Sequence, residues 1–189
     1  AAEIDPKLLE LIKNETRLLP HFHFSLQSLD DLILKRMKRR HNVEQIIKLF
    51  EKIRNVSSNV TFGADFICGF PTENDKMFSN TLNLVEELNL THLHVFPYSS
   101  KTGTAASRMP QIPLQIRRER AKILRTVGKN NYLNMLNKQV YKLHKILIET
   151  DDGFGRTENN FKVNVVDSKK GNIVEAIPNY CKNDFLVVN

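Results

Sequence analysis

The chain has 189 residues, 41% hydrophobic and 26% charged, with a formal net charge of +7 and a pI near 9.4. That length allows one good core, or one core plus a small module of about 50 residues. No run of about 18 apolar residues offers a membrane span, and the opening AAEIDPKLLEL is amphipathic rather than a secretion signal, so the expected location is cytoplasmic. The positive balance points to a polyanionic partner, nucleic acid first. It is concentrated in KRMKRRH, residues 35–41, and in the segment 117–145.

Pro6 behind Asp5, with Leu8, Leu9, Leu11 and Ile12 at helical spacing, predicts a first helix to about Asn14. After Leu19-Pro20, HFHFSLQ at 21–27 alternates as a strand does. Residues 28–31 read as a turn and cap before a short helix carrying Leu32, Ile33 and Met37. A longer helix over 43–54 presents Ile46, Ile47, Leu49, Phe50 and Ile53 to one side. A second strand opens at Thr61, a helix runs from about Asp75 to Leu88, and THLHVFP at 91–97 forms a third strand. Strands alternating with helices over short connections predict consecutive parallel βα units, and three of them do not close a barrel. A polar loop over 98–113 and one long basic helix over 115–137 follow. From Val140 the texture changes to short β-type runs at 140–149, 161–166, 172–177 and 185–188, separated by turns at 151–153, 159–160 and 169–171. A boundary near Lys138 divides the chain into 1–137 and a small β module, 138–189.

The stretch TFGADFICGFPTEND, 61–75, draws these elements together. Asp65 is the one acidic side chain in a buried-strand pattern, and a carboxylate there needs a partner. Gly69-Phe70-Pro71 breaks the strand, and Thr72, three residues before Asp75, is the expected helix cap. Strand, sharp corner and helix start is where α/β folds bind ligands, because unpaired N–H groups and an opening in the packing coincide. Cys68 is expected as a small core residue. Two cysteines are too few for a four-thiolate site, and the six histidines show no ligand spacing paired with cysteine, so no metal ligands are assigned.

The segments HFHFSLQS, LKRMKRRH, FGADFICGFPTE, THLHVFPYSSKTGTAASRMP and ILIETDDGFGRTENNFKV resemble, in order and spacing, the C-terminal two-thirds of radical-SAM tRNA methylthiotransferases. The subgroup acting on threonylcarbamoyl-adenosine beside the anticodon is the nearest in pattern. The resemblance implies an α/β fold: a partial radical-SAM (β/α) barrel of about three βα units, then a small TRAM-like β-barrel that grips tRNA. It implies S-adenosylmethionine (SAM) as cofactor, with Gln27 and Asp65 at the ribose and Arg39 at the methionine carboxylate. Ser28, Gly69 and Pro71 would shape the same pocket. Phosphate contacts are expected from Arg117, Arg118, Arg120, Lys122, Arg125 and Arg156. The family also carries a [4Fe-4S] cluster on a CxxxCxxC motif, and that motif is absent from this sequence. Leu29 and Thr72 stand where the family usually has glycine.

The expected function is therefore that of a C-terminal portion of such a transferase. The chain alone would be inactive, no catalytic residue is assigned, and tRNA is the partner. A separate polypeptide carrying the N-terminal half is a second candidate partner. The alternative is a non-catalytic RNA-binding protein, in which the basic helix and the β module act without SAM. An unrelated enzyme using the Gly69 corner for a phosphate is disfavoured, since neither GxGxxG nor GxxxxGK[ST] occurs.

Overall fold

The computed structural model describes residues 4–189. Its first part is a three-stranded parallel sheet, β1 (His21–Gln27), β2 (Thr61–Cys68) and β3 (His92–Pro97), with β2 in the centre. The register sets His23 beside Gly63, Gly63 beside His92, and Asp65 beside His94. Helices α1 (Pro6–Asn14), α2 (Asp31–Arg36), α3 (Val43–Val56), α4 (Asp75–Glu87) and α5 (Leu114–Asn137) complete this part, with a single 3₁₀ turn over Ala106–Arg108.

Caps fix where the helices begin. Asp5 accepts from the Leu8 N–H ahead of Pro6, Asp30 caps α2, and Asn42 with Gln45 forms a reciprocal capping box on α3. The expected cap at Thr72 is corrected: Asn74 caps α4, accepting from the Met77 N–H at 2.9 Å. Thr72 lies instead in the preceding turn with φ 70°, outside the extended region typical of N-caps.

The two faces of the sheet differ in chemistry. One buries Phe24, Phe62, Ala64 and Phe66 against Phe50 of α3, Val85 of α4 and Leu124 of α5, with the Phe50 and Phe62 rings stacked at 4.2 Å. The other carries His21, His23, Asp65, His92 and His94, none of them fully buried. Strand alternation produces this division: each strand sends every second residue to the apolar core and the intervening ones to a polar, open face.

The C-terminal strands are β4 (His144–Ile148), β5 (Phe154–Thr157), β6 (Lys162–Val165), β7 (Ile173–Ala176), β8 (Tyr180–Lys182) and β9 (Phe185–Val188). They form one sheet in the order β7-β4-β5-β6-β9-β8, antiparallel except for the β6–β9 pair. Ile146, Ile148, Phe161, Val163 and Leu186 make a second apolar core, to which α5 contributes Leu136. The expectation of a β-barrel is corrected: no ladder joins β7 to β8, and the sheet is open. Pro178, in the connection between those two strands, has no N–H to donate there. Thr61 Oγ1 donates to the Asn159 carbonyl at 2.8 Å, and Asn59 bonds both Glu158 and Asn159, tying this sheet to the start of β2.

Candidate functional site

Asp65 finds its partners on both neighbouring strands. Its Oδ1 meets His23 Nε2 of β1 at 2.8 Å and His94 Nδ1 of β3 at 3.1 Å, while Oδ2 accepts from the Ser25 hydroxyl at 2.9 Å. Partial burial pushes the carboxyl upward, but the bonds from His23 and Ser25 outweigh it and hold Asp65 below the usual aspartate range. Parallel pairing of three strands, each with polar residues at alternate positions, puts these groups on one face. Histidine spacing along the chain, which pairs none of them with a cysteine, does not reveal this grouping; the strand register does. The donor atoms of His23, Asp65 and His94 all lie within 4.8 Å of one another, already joined by hydrogen bonds.

The cluster continues along β1. The Arg39 guanidinium donates to the Ser25 carbonyl, so Arg39, Ser25 and Asp65 form one connected path. Arg39 and Ser25 line a cavity of about 790 Å³ beside the β1 edge, together with His23, Phe24, Arg40 and His41. Gln27 ends β1 half-buried, at φ 70°, where the β1–β2 register shifts. Gly69 forms the corner after β2 at φ 72°, a conformation that favours glycine, and its N–H donates to Glu73 Oε1 at 3.0 Å. Pro71 is buried in the same corner. Ser28 follows β1 directly; its hydroxyl lies 3.5 Å from Thr81 Oγ1 of α4 and accepts from the Asp30 N–H.

The basic residues of α5 divide by helix face. Arg120 is buried, bonded to Glu73 at 2.8 Å and to Asp75 at 2.6 Å, so its place among the expected phosphate contacts is corrected. Arg117 is half-buried and donates to the Ile112 and Tyr98 carbonyls. Arg118 and Lys122 are exposed. Arg125 is exposed with one N–H on the Val95 carbonyl. Arg156 pairs with Glu149 at 3.4 Å and with the Asn160 amide oxygen at 3.1 Å. Arg125 and Arg156 line a second cavity, of about 800 Å³, with Lys129, Lys162, His92 and Tyr132.

His21 and His92, at the start of β1 and β3, meet edge to face at 4.7 Å. Burial, reinforced by their positive neighbours, lowers each to about 4, so both rings are neutral at pH 7. His23, Ser25, His94, Lys129 and Lys162 belong to these surfaces and escaped sequence reasoning. The signal available was the repeated H-x-H on two strands, which becomes a cluster only once the strands are paired.

Residues 2–85 match the radical SAM superfamily. Over 158 residues the chain is 51% identical to the threonylcarbamoyladenosine tRNA methylthiotransferase of Rickettsia prowazekii (strain Madrid E), covering 84% of this chain and 37% of that protein. It is 39% identical to a probable threonylcarbamoyladenosine tRNA methylthiotransferase of Methanocaldococcus jannaschii, covering 83% and 36%. It is 33% identical to the tRNA-2-methylthio-N(6)-dimethylallyladenosine synthase of Neorickettsia sennetsu, covering 82% and 34%. The chain thus spans little more than a third of the length of these relatives. Among solved structures, the radical SAM enzyme coproporphyrinogen III oxidase of Escherichia coli shares the fold, with a TM-score of 0.52 and 22% identity over 76% of this chain and 37% of that one.

Proposed function

We infer, from this chain's membership of the radical-SAM tRNA methylthiotransferase family, that it forms one wall of a SAM pocket and an RNA-holding surface. The whole protein would methylthiolate threonylcarbamoyl-adenosine next to the anticodon, in the cytoplasm. The observation that carries this reading is the connected path from Arg39 through Ser25 to an ionised Asp65 on the open face of the sheet. A guanidinium suits a methionine carboxylate and an aspartate suits a vicinal diol. Gln27, Gly69 and Pro71 border the same strand ends. The division into 1–137 and a TRAM-like 138–189 is part of the proposal, supported by the two separate apolar cores.

The iron–sulfur cluster of the family does not fit the residues present. The sequence holds two cysteines; Cys68 is buried, which pushes its thiol up to about 12, and Cys181 lies on β8 in the other sheet. No step through a cluster follows from this chain, which is expected to be inactive alone. Anaerobic iron–sulfide reconstitution of the isolated chain should give no cluster absorbance.

Titration calorimetry with SAM tests the pocket. Binding to the wild-type chain, lost in Asp65→Ala and weakened in Arg39→Ala with unchanged circular dichroism, is the expected result. Absence of binding to the wild type would remove SAM from the reading. The non-catalytic RNA-binding alternative would then remain, supported by the cationic cavity beside α5.

A further inference from the structure

The cavity between β3, α5 and the C-terminal sheet shares His23 and His94 with the Asp65 cluster and extends from them to a cationic wall that the SAM path does not use. Its volume of about 800 Å³ lies in the range of small-molecule sites. Arg125, Lys129, Arg156 and Lys162 bring four cations to its walls; Lys162 pairs with Asp184 of the lining at 3.2 Å and Arg156 with Glu149 at 3.4 Å. Among the described residues, Arg125 and Lys129 pair with no carboxylate. The large apolar side chains lining it are Leu93 and Tyr132. The Tyr132 ring meets His92 edge to face at 5.2 Å and lies 5.3 Å from the buried Phe161 ring, so packing on both sides holds this aromatic wall in place.

The two kinds of relative act on adenosines whose N6 substituents differ sharply. One bears threonine with its free carboxylate; the other bears a five-carbon branched hydrocarbon. A hydrocarbon needs apolar walls and gains little beside the unpaired cations Arg125 and Lys129. A carboxylate gains charge-assisted hydrogen bonds there, and an adenine ring gains an aromatic edge to pack on. We propose that this cavity binds the anionic N6 substituent of the modified adenosine, with Arg125 and Lys129 facing its carboxylate and Tyr132 beside the base. The assignment rests on the tRNA-modifying reading above and deepens it, since it selects the threonylcarbamoyl substrate over the dimethylallyl one.

The test is an NMR titration of the chain with three nucleosides, N6-threonylcarbamoyladenosine, its methyl ester and N6-dimethylallyladenosine, and one nucleotide, adenosine 5′-monophosphate. The first should bind at least tenfold tighter than the ester and the dimethylallyl compound, with shifts at Lys129, Tyr132 and Arg156. Lys129→Glu should abolish that preference; the milder Lys129→Gln should reduce it and guards against loss of folding. Equal binding of acid and ester, or no binding of either, would overturn the proposal. Binding of the monophosphate as tight as that of the acid would identify a general phosphate site and overturn it too. Salt-dependent tRNA binding measured on the same sample tests the parent reading separately: retained tRNA affinity without nucleoside preference sinks only the carboxylate assignment.

Discussion

Glu73 Oε1 and Arg120 Nη1 lie 2.8 Å apart in the interior, their side chains 4% and 8% exposed. The pair joins the corner after β2 to the second turn of α5. Glu73 also accepts from the Gly69 N–H, and Arg120 also donates to the Glu73 carbonyl. Burial pushes the Glu73 carboxyl up, opposed by Gly69 and Arg120. Removing one member of such a pair strands the other charge, which costs about 3–5 kcal/mol. Arg120→Met should therefore lower the denaturation midpoint steeply. Adding Glu73→Gln should recover part of the loss, because the stranded charge is gone. Urea titrations of the two variants decide it: a double variant no better than the single would show that the charge was not the problem.

Acid should unfold this chain earlier than its carboxylates alone predict. His21 and His92 have folded-state values of about 4 against an ordinary 6.5. Both are depressed, so the unfolded chain takes up protons that the folded one refuses, and stability falls as pH drops from about 6.5 to about 4. The neighbours enforcing this are His23, His94 and Arg156, beside the burial itself. Each histidine contributes a slope of up to about 1.4 kcal/mol per pH unit within that window. His92→Gln should flatten the pH dependence of the urea midpoint by about one proton's worth. An unchanged slope would mean that His92 titrates normally in the folded state.

Thiol chemistry should separate the two cysteines. Cys68 is buried in β2, where loss of solvent and the nearby Glu73 keep it protonated, whereas Cys181 is partly exposed on β8. Thiolates are the reactive form, so a disulfide reagent at pH 8 should modify one thiol per folded chain and two in denaturant. Fast modification of both in the folded state would contradict the burial of β2.

Much of the first part was legible because its strands alternate cleanly and its helices carry caps. HFHFSLQ gave β1 at its observed bounds, and Val43 with Asn42 marked the start of α3. The C-terminal sheet was less legible. β5 lies in a glycine-rich stretch that reads as turn, yet Gly155 pairs with Ile148, and the position demands glycine because a Cβ there would lie 2.1 Å from the Leu147 carbonyl oxygen. β8 has three residues, too short for a period to show. In the site, Asp65 announced itself as an acid in a buried strand, but its partners lie 42, 40 and 29 residues away and follow only from strand register. Arg120 misled for the same reason: nothing local distinguishes the inward face of α5 from a solvated row of cations.

Thr72 offers a gain rather than a loss. It sits at φ 70°, half-buried, in the turn between the Gly69 corner and the Asn74 cap. A β-branched residue in the left-handed region is strained by about 1–2 kcal/mol, and glycine relieves that strain at some cost in unfolded-state entropy. Its hydroxyl bonds only the neighbouring Pro71 carbonyl, a local contact of small net worth. Thr72→Gly should therefore stabilise the chain by about 0.5–1 kcal/mol, raising the melting temperature by a few degrees. Thr72→Ala keeps the Cβ and much of the strain, so it should gain less. Differential scanning calorimetry separates the two: alanine matching glycine, or glycine lowering the midpoint, would show that the turn is not strained at this residue.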